Sequence, residues 1–171
     1  ANIVADNGYQ TSLWMRDERQ LADILEHGEN RRYLKNYPLS ANVLPTCDMA
    51  DVGASDVVFM TVPSASFREV TTDVAKHVKS EAFVVSGTKG IEAQGYYLMS
   101  QILEELLPAC SVGVISGPNL AEEIAGKHFT GTVVASRSLD LCETVQKVLR
   151  SGRKKVCYAE VKQSQIIRLC L

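Results

Sequence analysis

Short apolar runs alternate with amphipathic helical patterns along most of this chain. Residues 11–14, 57–62, 82–86, 112–116, 132–135 and 156–158 are predicted strands. Most are apolar on both faces, as strands buried within a parallel sheet are. The clearest is Asp56-Val57-Val58-Phe59-Met60-Thr61-Val62, ended by Pro63. Between them lie helices with local start signals. Asp17 is placed to cap a helix carrying Leu21, Ile24 and Leu25, with Gln20 completing a capping box and Gly28 ending it. Ser66 and Glu69 form a second such box ahead of Val70, Val74 and Val78. Further helices are predicted over 98–107, 120–125 and 139–149, and residues 1–5 already read as helix. This alternation predicts a doubly wound, Rossmann-like α/β fold with a mostly parallel sheet.

Composition narrows the class without naming it. The 171 residues fit one domain with a sizeable core, and 46% hydrophobic with 22% charged residues is ordinary for a globular protein. A net charge of -2 gives no footprint for nucleic acid or a membrane surface. The one dense basic run, Arg153-Lys154-Lys155, reads as a solvated turn. No apolar stretch approaches the roughly 20 residues that span a bilayer. Five scattered cysteines (Cys47, Cys110, Cys142, Cys157, Cys170) form no C-x-x-C pair, which fits a reducing cytoplasm and neither a metal site nor a disulfide framework. The start at Ala1, within a helical pattern, reads as a cut inside an element.

In such folds ligands gather at the carboxyl ends of the strands. Four predicted strand ends carry distinctive residues: Trp14-Met15-Arg16-Asp17, Val62-Pro63-Ser64, Ser86-Gly87-Thr88-Lys89-Gly90 and Ile115-Ser116-Gly117-Pro118-Asn119. One crevice can collect all four. Lys89, standing between glycines, is either a ligand-facing cation or a solvated loop charge. Arg16 stands where dinucleotide folds read the adenosine ribose, and an arginine there suits a 2′-phosphate, with Arg31 and Arg32 as helpers. Asp17 keeps a free 2′-hydroxyl readable, in competition with its capping role. The turn 116–121 offers backbone N–H groups to an anion, or is a plain strand-to-helix turn capped by Asn119. No G-x-G-x-x-G and no G-x-x-x-x-G-K-[ST] occurs. His27, His77 and His128 lack partner spacing, Ser116 lacks the G-x-S-x-G elbow, and the Glu104-Glu105 and Glu122-Glu123 pairs read as solvated helix faces.

Taken together in order, the strand-end residues resemble bacterial NAD(P)-dependent glycerol-3-phosphate dehydrogenase over roughly residues 1 to 150. The matching pieces are Asn7-Gly8-Tyr9, Ser12-Leu13-Trp14-Met15-Arg16-Asp17, Glu29-Asn30-Arg31-Arg32-Tyr33-Leu34, Thr61-Val62-Pro63-Ser64, Thr88-Lys89-Gly90-Ile91-Glu92, and Ile115-Ser116-Gly117-Pro118-Asn119-Leu120-Ala121-Glu122-Glu123. Each is weak alone; their order and spacing are specific. The resemblance implies interconversion of sn-glycerol 3-phosphate and dihydroxyacetone phosphate by hydride transfer with NADP or NAD, supplying glycerophospholipid synthesis in the cytoplasm, and a homodimer when complete. It implies substrate-binding roles for Lys89, Gly117 and Asn119, and cofactor-binding roles for Arg16, Tyr33, Lys89 and Ala121. Asn119 departs from the Ser or Thr more common in the family, although an amide still hydrogen-bonds a substrate oxygen.

Two larger departures shape the expectation. The family's glycine-rich nucleotide loop does not occur at the front. After about Arg150, residues 161–171 form an atypical tail in place of the glycine-rich helix bearing the general acid/base lysine, and Lys162 lacks that local pattern. The expected organisation is therefore a nucleotide-binding domain over 1–160, incomplete at its N-terminus and lacking its first strand, then the tail, without the helical substrate domain. No catalytic residue is assigned, and the chain alone is expected to be inactive and of low stability. The other readings are a non-catalytic nucleotide-binding module and a related hydroxy-acid dehydrogenase.

Overall fold

A computed structural model of the chain describes residues 1–150 and the backbone of 154–160; the tail expected over 161–171 lies outside the described residues. The elements alternate as the hydrophobic pattern predicts. In chain order they are α1 (Asn2–Asp6), β1 (Thr11–Trp14), α2 (Glu18–His27), β2 (Val43–Thr46), α3 (Ala50–Gly53), β3 (Val57–Met60), α4 (Phe67–Val74), β4 (Phe83–Ser86), α5 (Met99–Leu106), β5 (Ser111–Ser116), α6 (Ala121–Ala125), β6 (Thr130–Ser136), α7 (Leu139–Leu149) and β7 (Lys154–Glu160). A single 3₁₀ turn, Ser64–Ser66, leads into α4.

Among the described residues the strands form two sheets. β1 and β2 pair in parallel, and the larger sheet has the order β3-β4-β5-β6-β7. Within it β3, β4 and β5 are parallel, β6 runs antiparallel to β5, and β7 is parallel to β6. The Rossmann-like, mostly parallel α/β expectation holds.

Side-chain alternation explains why the central strands look apolar throughout. Val58 and Met60 of β3 and Val84 of β4 face one side, where they pack with Phe67, Val70 and Val74 of α4 and Met99, Ile102 and Leu103 of α5. Val57, Phe59 and Phe83 face the other side, with Val85, where Leu141, Cys142, Val145 and Leu149 of α7 cover them together with Ile3 and Val4 of α1. Period-2 alternation thus gives every position of a strand covered on both faces an apolar neighbour, in full or in part.

One strand escaped prediction. β2 contains Pro45, which pairs in register with Leu13 of β1. Proline donates no ladder hydrogen bond, and β2 tolerates it because it has a partner on one side only.

The helix starts divide. Asp17 caps α2 as predicted, accepting from the N–H groups of Arg19 at 3.0 Å and Gln20 at 3.4 Å, and Gly28 ends the helix in the left-handed region at φ 67°. The predicted Ser66–Glu69 box does not form. Ser66 sits in the 3₁₀ turn at φ -107° and ψ 4°, away from the extended dihedrals of a cap, and its hydroxyl donates to the Pro63 carbonyl at 3.2 Å. Phe67 follows at 0% exposure, the largest fully buried side chain among the described residues. Phe67→Ala is expected to cost about 3–5 kcal/mol, read as a lowered urea midpoint with an unchanged slope.

Candidate active site

The parallel register places the ends of β3, β4 and β5 in one row, with Met60 opposite Ser86 and Ser86 opposite Val114. Beyond the strands the chain stays tied. The Gly87 N–H donates to the Met60 carbonyl at 2.8 Å, and the Thr88 hydroxyl donates to the Val62 carbonyl at 2.7 Å. Gly90 then turns at φ 104°, a conformation costly for any residue with a side chain. A Cβ there would lie 3.6 Å from the Ser64 hydroxyl oxygen. The loop after β4 therefore lies across the end of β3 and carries exposed Lys89 toward β5, where its ammonium donates to the Ser116 hydroxyl. A lysine has three N–H donors, so two stay available beside that contact.

The far end of this loop is clamped. The Arg68 guanidinium, on α4, is bidentate to Glu92, with Nε–Oε1 at 2.5 Å and Nη2–Oε2 at 3.2 Å. It also forks onto Glu105 of α5, at 2.7 and 3.1 Å. The Tyr97 ring lies under it, 5.6 Å from its carbon to the ring centroid. Two carboxylates push the Arg68 pKa above the already high arginine value, and Arg68 in turn lowers that of Glu105. Sequence patterning read Glu105 as merely solvated and gave Arg68 and Glu92 no joint role.

Antiparallel β6 packs against the end of β5. Because it enters the sheet from the edge where β5 leaves, Gly131 and Thr132 stand against Gly117 and Asn119. A Cβ on Gly117 would lie 2.3 Å from the Gly131 carbonyl oxygen and 3.2 Å from the Thr132 Cα. Only glycine fits that approach. Asn119 does not cap α6, whose cap position is Leu120 without a side-chain bond. Its amide oxygen instead accepts from the Thr132 hydroxyl at 2.9 Å, which fixes the amide at the end of β5. Ala121, exposed, is the first residue of α6. That helix is a five-residue turn, too short to present the dipole of a long helix to an anion.

A second group stands at the end of β1. Arg16 pairs with Glu69 of α4 at 3.2 Å, both side chains well exposed. Asp17 spends one oxygen capping α2 and the other accepting from Arg32 at 3.1 Å. Arg32 lies over the Tyr33 ring at 5.1 Å, and Tyr33 itself is 67% exposed. Arg31, predicted as a helper, turns away to Asp23 and lowers that carboxyl's pKa. The structure thus brings Lys89 to the segment holding Gly117 and Asn119, whereas Arg32 and Tyr33 are tied to Asp17, next in sequence to Arg16. Glu69, on the helix that follows β3, links α4 to the second group.

The matching family model is that of the NAD-dependent glycerol-3-phosphate dehydrogenase N-terminus, over residues 1–142. The chain belongs to the glycerol-3-phosphate dehydrogenase family. It is 45% identical over 157 residues to the glycerol-3-phosphate dehydrogenase [NAD(P)+] of Saccharophagus degradans, covering 91% of this chain and 44% of that protein. With the enzyme of the same name from Pseudomonas putida F1 the identity is 48% over 160 residues, 93% of this chain and 46% of that one. The crystal structure of glycerol-3-phosphate dehydrogenase from Coxiella burnetii superposes with a TM-score of 0.88 at 28% identity, over 93% of this chain and 49% of that chain. The chain therefore spans about half the length of the glycerol-3-phosphate dehydrogenases that it matches.

Three outcomes test this geometry. Gly117→Ala is expected to destabilise the chain by about 1–3 kcal/mol, as overpacking does, read as a lowered urea midpoint. Arg68→Ala is expected to speed hydrogen exchange at the Glu92 amide, which donates to the Tyr97 carbonyl at 2.9 Å, by roughly three- to tenfold, since a partly exposed charged pair is worth little more. The pH dependence follows the lowered Glu105 value. Its share of the clamp is complete above the ordinary glutamate range and is lost as pH falls through the lowered folded-state value. Protection of the Glu92 amide should fall in that acid window while Arg68 stays charged.

Proposed function

We propose that this chain is the nucleotide-binding part of an NAD(P)-dependent glycerol-3-phosphate dehydrogenase, which interconverts sn-glycerol 3-phosphate and dihydroxyacetone phosphate for glycerophospholipid synthesis. The observation that carries this reading is the Lys89–Ser116 contact, which holds an ammonium group at the row of strand ends beside Gly117 and Asn119. Family membership supplies the reaction class.

The residues present fit the dinucleotide. Arg16, Arg32 and Tyr33 offer two cations and an open aromatic face at the end of β1, where the adenosine end of such a cofactor is read. When bound, the cofactor supplies the hydride exchanged with the substrate's second carbon. The protein's share is positioning. The free N–H donors of Lys89 bind a phosphate or carbonyl oxygen, stabilising negative charge and fixing the reacting carbon's orientation. Asn119, its oxygen already held by Thr132, has its N–H₂ left to donate to a substrate oxygen. Ala121 lies at the cofactor. No proton donor for the substrate oxygen is assigned, so we propose that the chain by itself binds without turning over.

Fluorescence titration and a coupled assay test both halves. The 171-residue chain is expected to quench or enhance NADPH fluorescence on binding. It is also expected to show no NADPH oxidation with dihydroxyacetone phosphate above a no-protein blank. Turnover overturns the claim of inactivity, and absence of binding to both NADPH and NADH overturns the nucleotide-binding reading.

A further inference from the structure

At the end of β1, Arg16 and Arg32 meet the acids Glu69 and Asp17, which are committed differently. Asp17 has both oxygens engaged by the fold, one on the start of α2 and one on Arg32. The Glu69 carboxylate reaches across from α4 to Arg16 at 3.2 Å, with side chains 58% and 65% exposed for Arg16 and Glu69. Asp73, one turn further along α4, feels the Arg16 charge but is held by Lys76 at 2.7 Å. Arg16 is thus engaged by a carboxylate that water reaches and a stronger anion can displace.

We infer that Glu69 is a specificity-determining residue, which competes with the 2′-phosphate of NADPH for Arg16 and so narrows the preference for NADPH over NADH. The inference rests on the cofactor reading proposed above. A phosphomonoester carries between one and two negative charges near neutral pH and meets a guanidinium fork with two oxygens. It replaces the Glu69 carboxylate on Arg16, and it leaves that carboxylate as a like-charge neighbour. A 2′-hydroxyl has no charge with which to displace Glu69. NADH is therefore bound with the Arg16–Glu69 pair intact, and the competition falls on NADPH alone.

The test is fluorescence titration of the 171-residue chain with NADPH and with NADH at one ionic strength. Glu69→Gln keeps the shape and removes the charge. It is expected to tighten NADPH about three- to fivefold, the scale of an exposed ion pair, and to leave NADH unchanged. Asp73→Asn, which removes a neighbouring charge already paired with Lys76, is expected to leave the NADPH-to-NADH ratio unchanged. On an Arg16→Gln background, Glu69→Gln is expected to have no effect on the ratio, because the competition needs both partners. A purely structural role for Glu69 in the first turn of α4 shifts both dinucleotides alike, and that result, or an unchanged ratio, overturns the inference while leaving the cofactor reading in place. If neither dinucleotide binds the unsubstituted chain, the cofactor reading falls and this inference with it.

Discussion

The parallel register of β3, β4 and β5 is the constraint on which the candidate site depends. Each strand is covered on both faces, so a slip of one residue would exchange the two buried rows everywhere at once. Val84 would turn from the α4–α5 side toward α7, and Val85 would do the reverse. The register that avoids this also aligns Met60, Ser86 and Val114 at one edge. Hydrogen bonds from Gly87 and Thr88 back to Met60 and Val62 prolong the alignment past the strands. Lys89 reaches Ser116 because the loop that bears it is held as an extension of the sheet.

The antiparallel step between β5 and β6 does a different job. A parallel strand would begin at the opposite edge, and its first residues would stand far from the strand ends. By running backward, β6 brings Gly131 and Thr132 against Gly117 and Asn119. Gly117 and Asn119 therefore owe these neighbours to one reversal of strand direction. The same reversal makes the missing side chain of Gly117 a packing requirement, independent of any ligand.

Local features of the structure were legible in the sequence, and long-range ones largely were not. The run around Val57 to Met60 announces itself because burial on both faces leaves no polar position. The Asp17 cap and the Gly28 stop operate within a single helix and needed no tertiary knowledge. β2 was hidden by Pro45, which is admissible only because that strand lies at an edge. The Ser66–Glu69 pattern had the right spacing, but the 3₁₀ turn set the wrong dihedrals at Ser66 and Arg16 drew the Glu69 side chain to itself. Asn119 looked like a cap until β6 supplied Thr132, 13 residues on. Lys89 and Ser116 lie 27 residues apart, and only the sheet order makes them neighbours. Family resemblance placed the members of the site, whereas their partners required the fold.

The charged residues divide by what holds them, and this division separates scaffold from site. Arg68 is gripped by two carboxylates from two different segments, and Glu92 is mostly buried in that grip. Asp17 has both oxygens engaged, one in starting α2 and one in anchoring Arg32. Such groups hold one another in place, although partly exposed pairs contribute only modestly to stability. Lys89 and Arg16 are bound differently. Each is exposed, and each has one partner described, a hydroxyl in one case and a solvated carboxylate in the other. A phosphate oxygen outcompetes a hydroxyl for an ammonium and a solvated carboxylate for a guanidinium fork. Lys76, Lys79 and Arg137 form equally solvated pairs elsewhere on the surface, so what sets Arg16 and Lys89 apart is their place at the ends of β1 and β4, where ligands gather in such folds.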